Sequence, residues 1–539
     1  MKKLTILLFA ITSVAAGCKK FTENINNNLN QPTVVTPNVV LSAALVASGS
    51  SMANDFLNTN RWMGYWAQSG NYIETVPTVT YVLDPSYADG EFQDLYGTMT
   101  RYNYIQNNSG GDPFYVGVAQ VMKSFHFATL VDAFNNVPYS QAFNLSKYPS
   151  PKYDDAATVY GSLVQQCDSA IISFQKAITF YSGAPSTTVT LDDKYDVMYG
   201  RGAGVDPTVR MNEWIRFANT VKLRLLMTAR QSSAAAFSKA SITAELAKVT
   251  ANGQGFIGAG QSASVNPGYS NSQAAQQNPF YAGFYLTSGT ANNNFNFFRA
   301  NTYYINYGNS TQDFRFTDNY QVVLSGAPYC VGNYDGDPNP LSNTFTSGLG
   351  SGKATSTTGP IKSATQDEFI MSDFESLFWQ AEAAQEGYIA GSAANFAKLG
   401  TEQSFIYVND TGSGDDTQNR TDADNFLSGD AGDAKTDVSL SGLQAVMTLK
   451  WAALNSINWE QAYTDYRRTG YPLPDGTNFG FSHANNVFQH SMPDVSGKPH
   501  AINLPFRYLY PQSEINTNGA NIPSGTSAYT TIFWDAREK

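Results

Sequence analysis

Five stretches before residue 231 return an apolar side chain every three or four positions, the period of a helix with one buried face. Pro37 opens the first, which runs through Ala47. Glu91 to Asn107 follows, with Phe92, Leu95, Tyr96, Met99, Tyr102 and Ile105 on one stripe. Phe114 to Phe134 is apolar on all sides and predicts a buried helix. Tyr153 to Phe174 has the cleanest stripe, centred on Tyr160, Leu163, Cys167 and Ile171, and Asn212 to Arg230 repeats it around Trp214, Phe217 and Val221. Three more helices are expected at Phe369 to Ala390, Ser392 to Tyr407 and Ser439 to Trp451. Small residues at contact positions and tight Gly or Pro turns predict antiparallel pairs of tetratricopeptide type, with no strict period of about 34 residues. The fold expected is mainly α, with tetratricopeptide-like pairs forming an α–α superhelical scaffold.

Two long stretches interrupt this pattern, Asn252 to Thr365 and Asp410 to Asp437. Both are rich in Gly, Asn, Ser and Thr and lack a helical period, and loops of that length in a compact protein carry function or disorder. The first holds too many aromatics for a linker, so it predicts a loop-rich, ordered face on the helical scaffold. The expected division is a signal at 1–17, a tether at 18–37 and one domain over 38–539 that contains these insertions near 252–365 and 410–437.

The start of the chain has a basic Met1-Lys2-Lys3, a short apolar run from Leu4 to Ile11, and Ala15-Ala16-Gly17-Cys18. Small residues directly before a cysteine predict a lipoprotein signal, with Cys18 acylated; the apolar run is too short to span a bilayer. The three cysteines, Cys18, Cys167 and Cys330, are an odd number, which excludes a fully paired disulfide framework. Cys167 lies on an apolar stripe and reads as a buried thiol.

Charge then narrows the partners. Only 14% of residues are charged and the balance is −11, becoming −13 once Lys2 and Lys3 leave with the signal. An acidic surface repels phosphate backbones, which argues against nucleic acid and against anionic polymers as cargo. Thirty-two Tyr and seven Trp, set among Asn and Gly, suit a neutral polar ligand better.

Several segments, in order, resemble the SusD/RagB family of outer-membrane nutrient-binding lipoproteins. Cys18 with the tether ending Asn30-Gln31-Pro32-Thr33 is similar to the family's start, and Leu130 to Ala142 to its most recognisable turn, with Asn135-Asn136 in place of Gly-Asp. Pro151-Lys152-Tyr153-Asp154, Trp214 to Asn219 with Leu223-Arg224, Asp313-Phe314-Arg315, Ala381 to Ala384, Asp465 to Pro472 and Arg507 to Pro511 complete the series. The resemblance implies four tetratricopeptide-like pairs, a glycan or other nutrient as ligand, and a SusC-like TonB-dependent transporter as partner. Lys19 and Lys20 stand where surface export favours acidic residues.

No motif places a nucleophile, an acid and base, or a metal. His126 lies in an apolar helix and reads as a core residue; His483, His490 and His500 lack metal-ligand spacing. Asp132, Arg224 and Arg467 read as buried hydrogen-bonding residues, and Glu375, Glu382 and Glu386 as a solvated face or a buried ion pair. Asn333, Asp335 and Asp337 alternate around Gly336 and form a lesser calcium candidate against an ordinary turn. The aromatic clusters carry the stronger signal, since a Tyr or Trp face stacks on a sugar ring while amides bond its hydroxyls. One cluster is Arg61 to Trp66, with Asn71, Tyr72, Tyr81 and Tyr87; the other runs from Phe280 to Tyr307 through Asn293, Phe298 and Arg299. The expected function is a non-catalytic, cofactor-free, lipid-anchored binder of neutral oligosaccharide at the outer-membrane surface. Its proposed ligand residues are Trp66, Asn71, Tyr72, Tyr81, Tyr87, Asn293, Phe298 and Arg299. The alternatives are a glycoside hydrolase with an aromatic-lined cleft, and a lid lipoprotein for peptide or another non-glycan nutrient.

Overall fold

The computed structural model describes residues 35–73, 76–182, 191, 193–201, 206–326, 329–335, 337, 339–350, 359–409, 415–429, 432–473 and 504–535. The signal, Cys18, Lys19, Lys20 and the three later histidines lie outside the described residues.

Helix boundaries follow local chemistry. α1 (Pro37–Asn54) is longer than its apolar stripe because Ser48 and Ser51 bond back to the carbonyls of Ala44 and Ala47. α2 (Asp89–Asn108) and α3 (Pro113–Phe134) are joined by a turn in which Asp112 accepts the Phe114 N–H and Pro113 takes the first helical position. The same Asp-Pro device starts α5 (Pro207–Ala229), after α4 (Ala156–Ser182). Gly253, with φ of 74°, closes α6 (Lys239–Asn252) as a left-handed cap.

Consecutive helices pack in sequence order, α1 on α2, α2 on α3, α3 on α4 and α4 on α5. Small residues permit the close approaches: a Cβ on Gly117 of α3 would lie 2.8 Å from the Phe174 ring of α4. The second half repeats the arrangement with α8 (Asp373–Gln385), α9 (Ala393–Asn409), α10 (Thr417–Gly429) and α11 (Leu443–Ala453). The scaffold is therefore the mainly α, tetratricopeptide-like one expected. α3 is buried nearly all round, and His126 within it sits 2.7 Å from Ser48 Oγ, its pKa pushed down to about 3 by burial. Cys167 and Cys330 are both free and buried.

Four helices fall outside the sequence expectation. α6 has no stripe long enough to stand out. α7 (Thr302–Thr311) lies inside the supposed loop, its Asn and Gly hiding a face formed by Tyr303, Tyr304 and Tyr307, all buried. α10 lies in the second supposed loop and buries only Ala423 and Phe426. α12 (Trp459–Thr469) carries only a short apolar stripe, Trp459, Ala462, Tyr463 and Tyr466, and buries charge beside it. A short helix, α13 (Gln512–Asn518), follows near the end of the described chain. Residues 368–371, expected in part as helix, form a strand, and Ser372 caps α8 just after it.

Burial through charge centres on Glu382 of α8. It accepts from Arg468 of α12 at 2.5 and 2.6 Å and from Arg230, just past α5, at 3.0 Å. Burial alone would raise its pKa, but Arg468 and then Arg230 bring it down to about 2. A second buried node joins α3 to the end of the chain. Asp132 accepts from Tyr160, Trp534 Nε1 and Arg224, while Arg467 donates to the Asp132 and Phe506 carbonyls. Asp132, Arg224 and Arg467 are thus the buried bonding residues expected. Among the described residues, no helix is long and apolar enough to cross a membrane.

Replacing Glu382 by Ala leaves two buried guanidiniums short of a counter-charge, Arg468 with Asp465 alone and Arg230 with the more distant Glu386. It should cost about 3–5 kcal/mol, read from the chemical denaturation midpoint. The share of stability held by this carboxylate is complete above its ordinary pKa of 4.5 and is lost as pH falls through about 2. Glu382→Ala should therefore flatten the acid limb of a stability–pH curve.

Candidate functional site

The loop-rich face is organised on a two-stranded antiparallel ribbon, β1 (Trp66–Gln68) against β2 (Phe298–Ala300), with Gln68 opposite Phe298. Sequence-distant segments converge here because two side chains supply the bonds a third strand would. Asn333 Nδ2 donates to the Gln68 and Leu341 carbonyls, and its Oδ1 accepts the Leu341 N–H. Asp335 accepts from Arg61 at 2.7 and 2.8 Å and from the Gln68 N–H at 3.2 Å. Those bonds commit Asn333 and Asp335 to the fold, and the Asp337 carboxylate accepts the Asn339 N–H. The calcium reading is corrected accordingly; among the described residues, no cluster of three or more His, Cys, Asp or Glu could hold a metal.

The aromatic residues divide by depth. The Trp66 ring is fully buried against Phe284, Phe298 and Trp459, and its Nε1 donates to Ser456 Oγ. Tyr81 is buried edge-on to Trp62, and burial pushes its hydroxyl pKa well up. Tyr87 is half-buried, its ring near-parallel to those of Trp62 and Tyr508, with its hydroxyl 2.9 Å from Thr78 Oγ1. Phe298 is buried, and so is Arg299, which donates to the Phe295 and Asn296 carbonyls at the end of the helical turn Asn293–Phe297. Burial lowers the Arg299 pKa, while nearby Tyr72 acts in the opposite sense. These five are corrected from ligand contacts to foundations: neighbouring side chains already cover the ring faces and donors a sugar would need.

Three of the expected residues reach the surface above that foundation. Tyr72 meets the ring of half-buried Phe297 edge to face at 5.2 Å, and its hydroxyl makes no bond among the described residues. Asn71 is exposed; its Oδ1 accepts the Asn343 N–H at 2.7 Å, while its Nδ2 makes no bond among the described residues. Asn293 is exposed at the start of the helical turn. Sequence reasoning left Ile73, Phe297, Leu341 and Phe345 out of the ligand set. Ile73 is 95% exposed and Phe345 65%, and Leu341 is bound to Gly70 through its carbonyl. An isolated Phe or Ile in a polar loop has no periodic signal.

The result is a neutral rim, in which the Tyr72 and Phe297 rings are flanked by free amides and exposed apolar side chains on a rigid, charge-locked base. Such a surface can stack on the apolar face of a ring and bond its hydroxyl edge. Gly70 is where the rim meets the 331–345 loop: a Cβ there would lie 2.1 Å from the Pro340 carbonyl oxygen. Gly70→Ala should displace that loop while leaving the helical scaffold folded. Hydrogen exchange should show deprotection of the Gly70 and Leu341 amides with α3 amides unchanged.

Comparison with known proteins accords with this architecture. The family described as "Starch-binding associating with outer membrane" (SusD-like) matches residues 29–489. A chitin-binding SusD homologue from Flavobacterium johnsoniae is 19% identical with a TM-score of 0.68, the match covering 92% of this chain and 99% of that one. A SusD-like protein from Bacteroides thetaiotaomicron is 20% identical with a TM-score of 0.65 over 92% and 99%. A SusD homologue from Bacteroides fragilis is 15% identical with a TM-score of 0.67 over 93% and 99%. No curated protein matches the chain.

Proposed function

Because this chain belongs to the SusD-like family, described as starch-binding and associating with the outer membrane, we propose that it is a non-catalytic glycan-binding lipoprotein of the cell surface. The observation that carries the reading is the pairing of Tyr72 with Phe297 on a rigid ribbon, ringed by the unbonded amide of Asn71 and by exposed Asn293. Two aromatic rings supply stacking area, and neutral amides select hydroxyls over charge. The formal charge of −11 supports a neutral oligosaccharide over an acidic polymer. Cys18 would carry the lipid, and a SusC-like TonB-dependent transporter would receive the captured sugar. The chitin-binding name of one structural relative makes chito-oligosaccharides a natural member of the test panel beside malto-oligosaccharides.

Binding to that panel, measured by calorimetry on the purified chain, should be saturable and leave the oligosaccharides at full length. Shortened products would overturn the reading in favour of a hydrolase, and absence of any glycan binding would favour another nutrient. Tyr72→Ala and Phe297→Ala should each weaken binding about tenfold, near 1.4 kcal/mol, with little change in melting temperature. Trp66→Ala should act differently, costing about 3–5 kcal/mol of stability because it empties a core site.

A further inference from the structure

A cavity of about 260 Å³ opens between α2, α3, α4 and the turn at residues 139–143, and it shares no residue with the ribbon site. Its walls are amides and hydroxyls, chiefly Gln106, Gln120, Gln166, Tyr139 and Ser140, with Lys123 of α3 among them. No Asp or Glu lines it. Lys123 is part-buried, and among the described residues its ammonium has a single partner, the Gln106 Oε1 at 2.5 Å. Withdrawal from water pushes its pKa down to about 8. Elsewhere this protein pairs its withdrawn ammoniums with carboxylates: Lys222 sits 2.6 Å from both Asp168 and Glu245, and Lys450 sits 2.8 Å from Asp465. A buried charge costs free energy unless it is paired, so Lys123 is an ammonium lacking a counter-ion beside a space large enough for one. The cavity wall adds further donors. Among the described residues, the Gln166 side chain and the Tyr139 hydroxyl make no bond, and the Gln120 side chain uses only its oxygen, to accept from Ser173.

We propose that this cavity is a second ligand site, for a small carboxylate-bearing polyol such as an acidic monosaccharide. The carboxylate pairs with Lys123, and the amides of Gln120 and Gln166 bond the hydroxyls. The net negative charge of the chain does not forbid this. Exposed charges are screened beyond about 8 Å at physiological ionic strength, whereas the ammonium acts at contact in a partly desolvated space. The neutral rim and this cavity therefore differ in ligand class as well as in place.

Saturation-transfer NMR with D-glucuronate as probe and D-glucose as its uncharged counterpart tests the assignment on the intact chain. In a Tyr72→Ala background, which disables the neutral rim, glucuronate should bind saturably and glucose should give no transfer at equal concentration. Lys123→Met should lower glucuronate affinity at least tenfold while holding or raising the melting temperature, since it removes an unpaired, desolvated charge. Gln166→Glu, on the rim of the cavity, should abolish binding by supplying an internal carboxylate to Lys123. Absence of glucuronate binding overturns the proposal. So does affinity that survives either substitution in a folded protein, or glucose binding as tightly as glucuronate.

Discussion

The contacts of Glu382 with Arg468 and Arg230 join the two halves of the helical scaffold. Glu382 belongs to α8, Arg468 to α12, and the second guanidinium on the same carboxylate, Arg230, follows α5. Around it, Lys450 of α11 pairs with Asp465 and lies over the Trp379 ring, which also stacks beneath Arg468. Four helices from distant parts of the sequence thus meet at one desolvated, mutually neutralising cluster. Such a cluster adds little net energy over a hydrophobic one, but its geometry tolerates few rearrangements, and removal of one member strands the rest. It sets the relative positions of helices whose ends carry the ribbon face.

The same economy explains a composition poor in charge. Arg61, Arg210, Lys222, Arg224, Arg299, Arg315, Lys450, Arg467, Arg468 and Arg507 are all buried. Charge in this protein is to a large extent internal framework. Arg315 pairs with Asp313 two residues away and also reaches Ser404 of α9. Arg61 clamps the 331–345 loop through Asp335. The surface of the ribbon face is left to Asn, Tyr and a few apolar side chains, as a neutral ligand requires. Lys123 departs from this rule, which is why its cavity stands out.

Much of the scaffold was legible from spacing alone, because α2, α3, α4 and α5 bury apolar stripes and Asp-Pro pairs start α3 and α5. α12 was not, since its short apolar stripe is interleaved with Glu460, Gln461, Asp465, Arg467 and Arg468, polar residues buried beside partners from other helices. α7 was masked by Asn and Gly although its tyrosines fill the core. For the site, sequence located the right segments but not the right depth. Composition says that Trp66, Tyr72, Tyr81 and Phe298 are aromatic; only the cover over each decides which ring stays free. Trp66 and Phe298 are covered by Phe284, whereas Tyr72 touches only the edge of a neighbour.

That layering has a consequence for how tightly a captured ligand is held. Rings buried beneath the rim cannot contribute contact area, but they fix Phe297 against Phe298 and Arg61 before ligand arrives, so little ordering cost remains to be met on binding. The contact itself rests on two rings and a few amides, which limits the free energy available to roughly 4–8 kcal/mol, the range from millimolar to micromolar binding. A protein that hands its ligand onward gains from that limit, because differences in affinity among related sites appear mostly in the dissociation rate. A preorganised but small rim therefore favours quick capture and quick release, whereas exposing Trp66 and Tyr81 as well would lengthen residence at the expense of transfer.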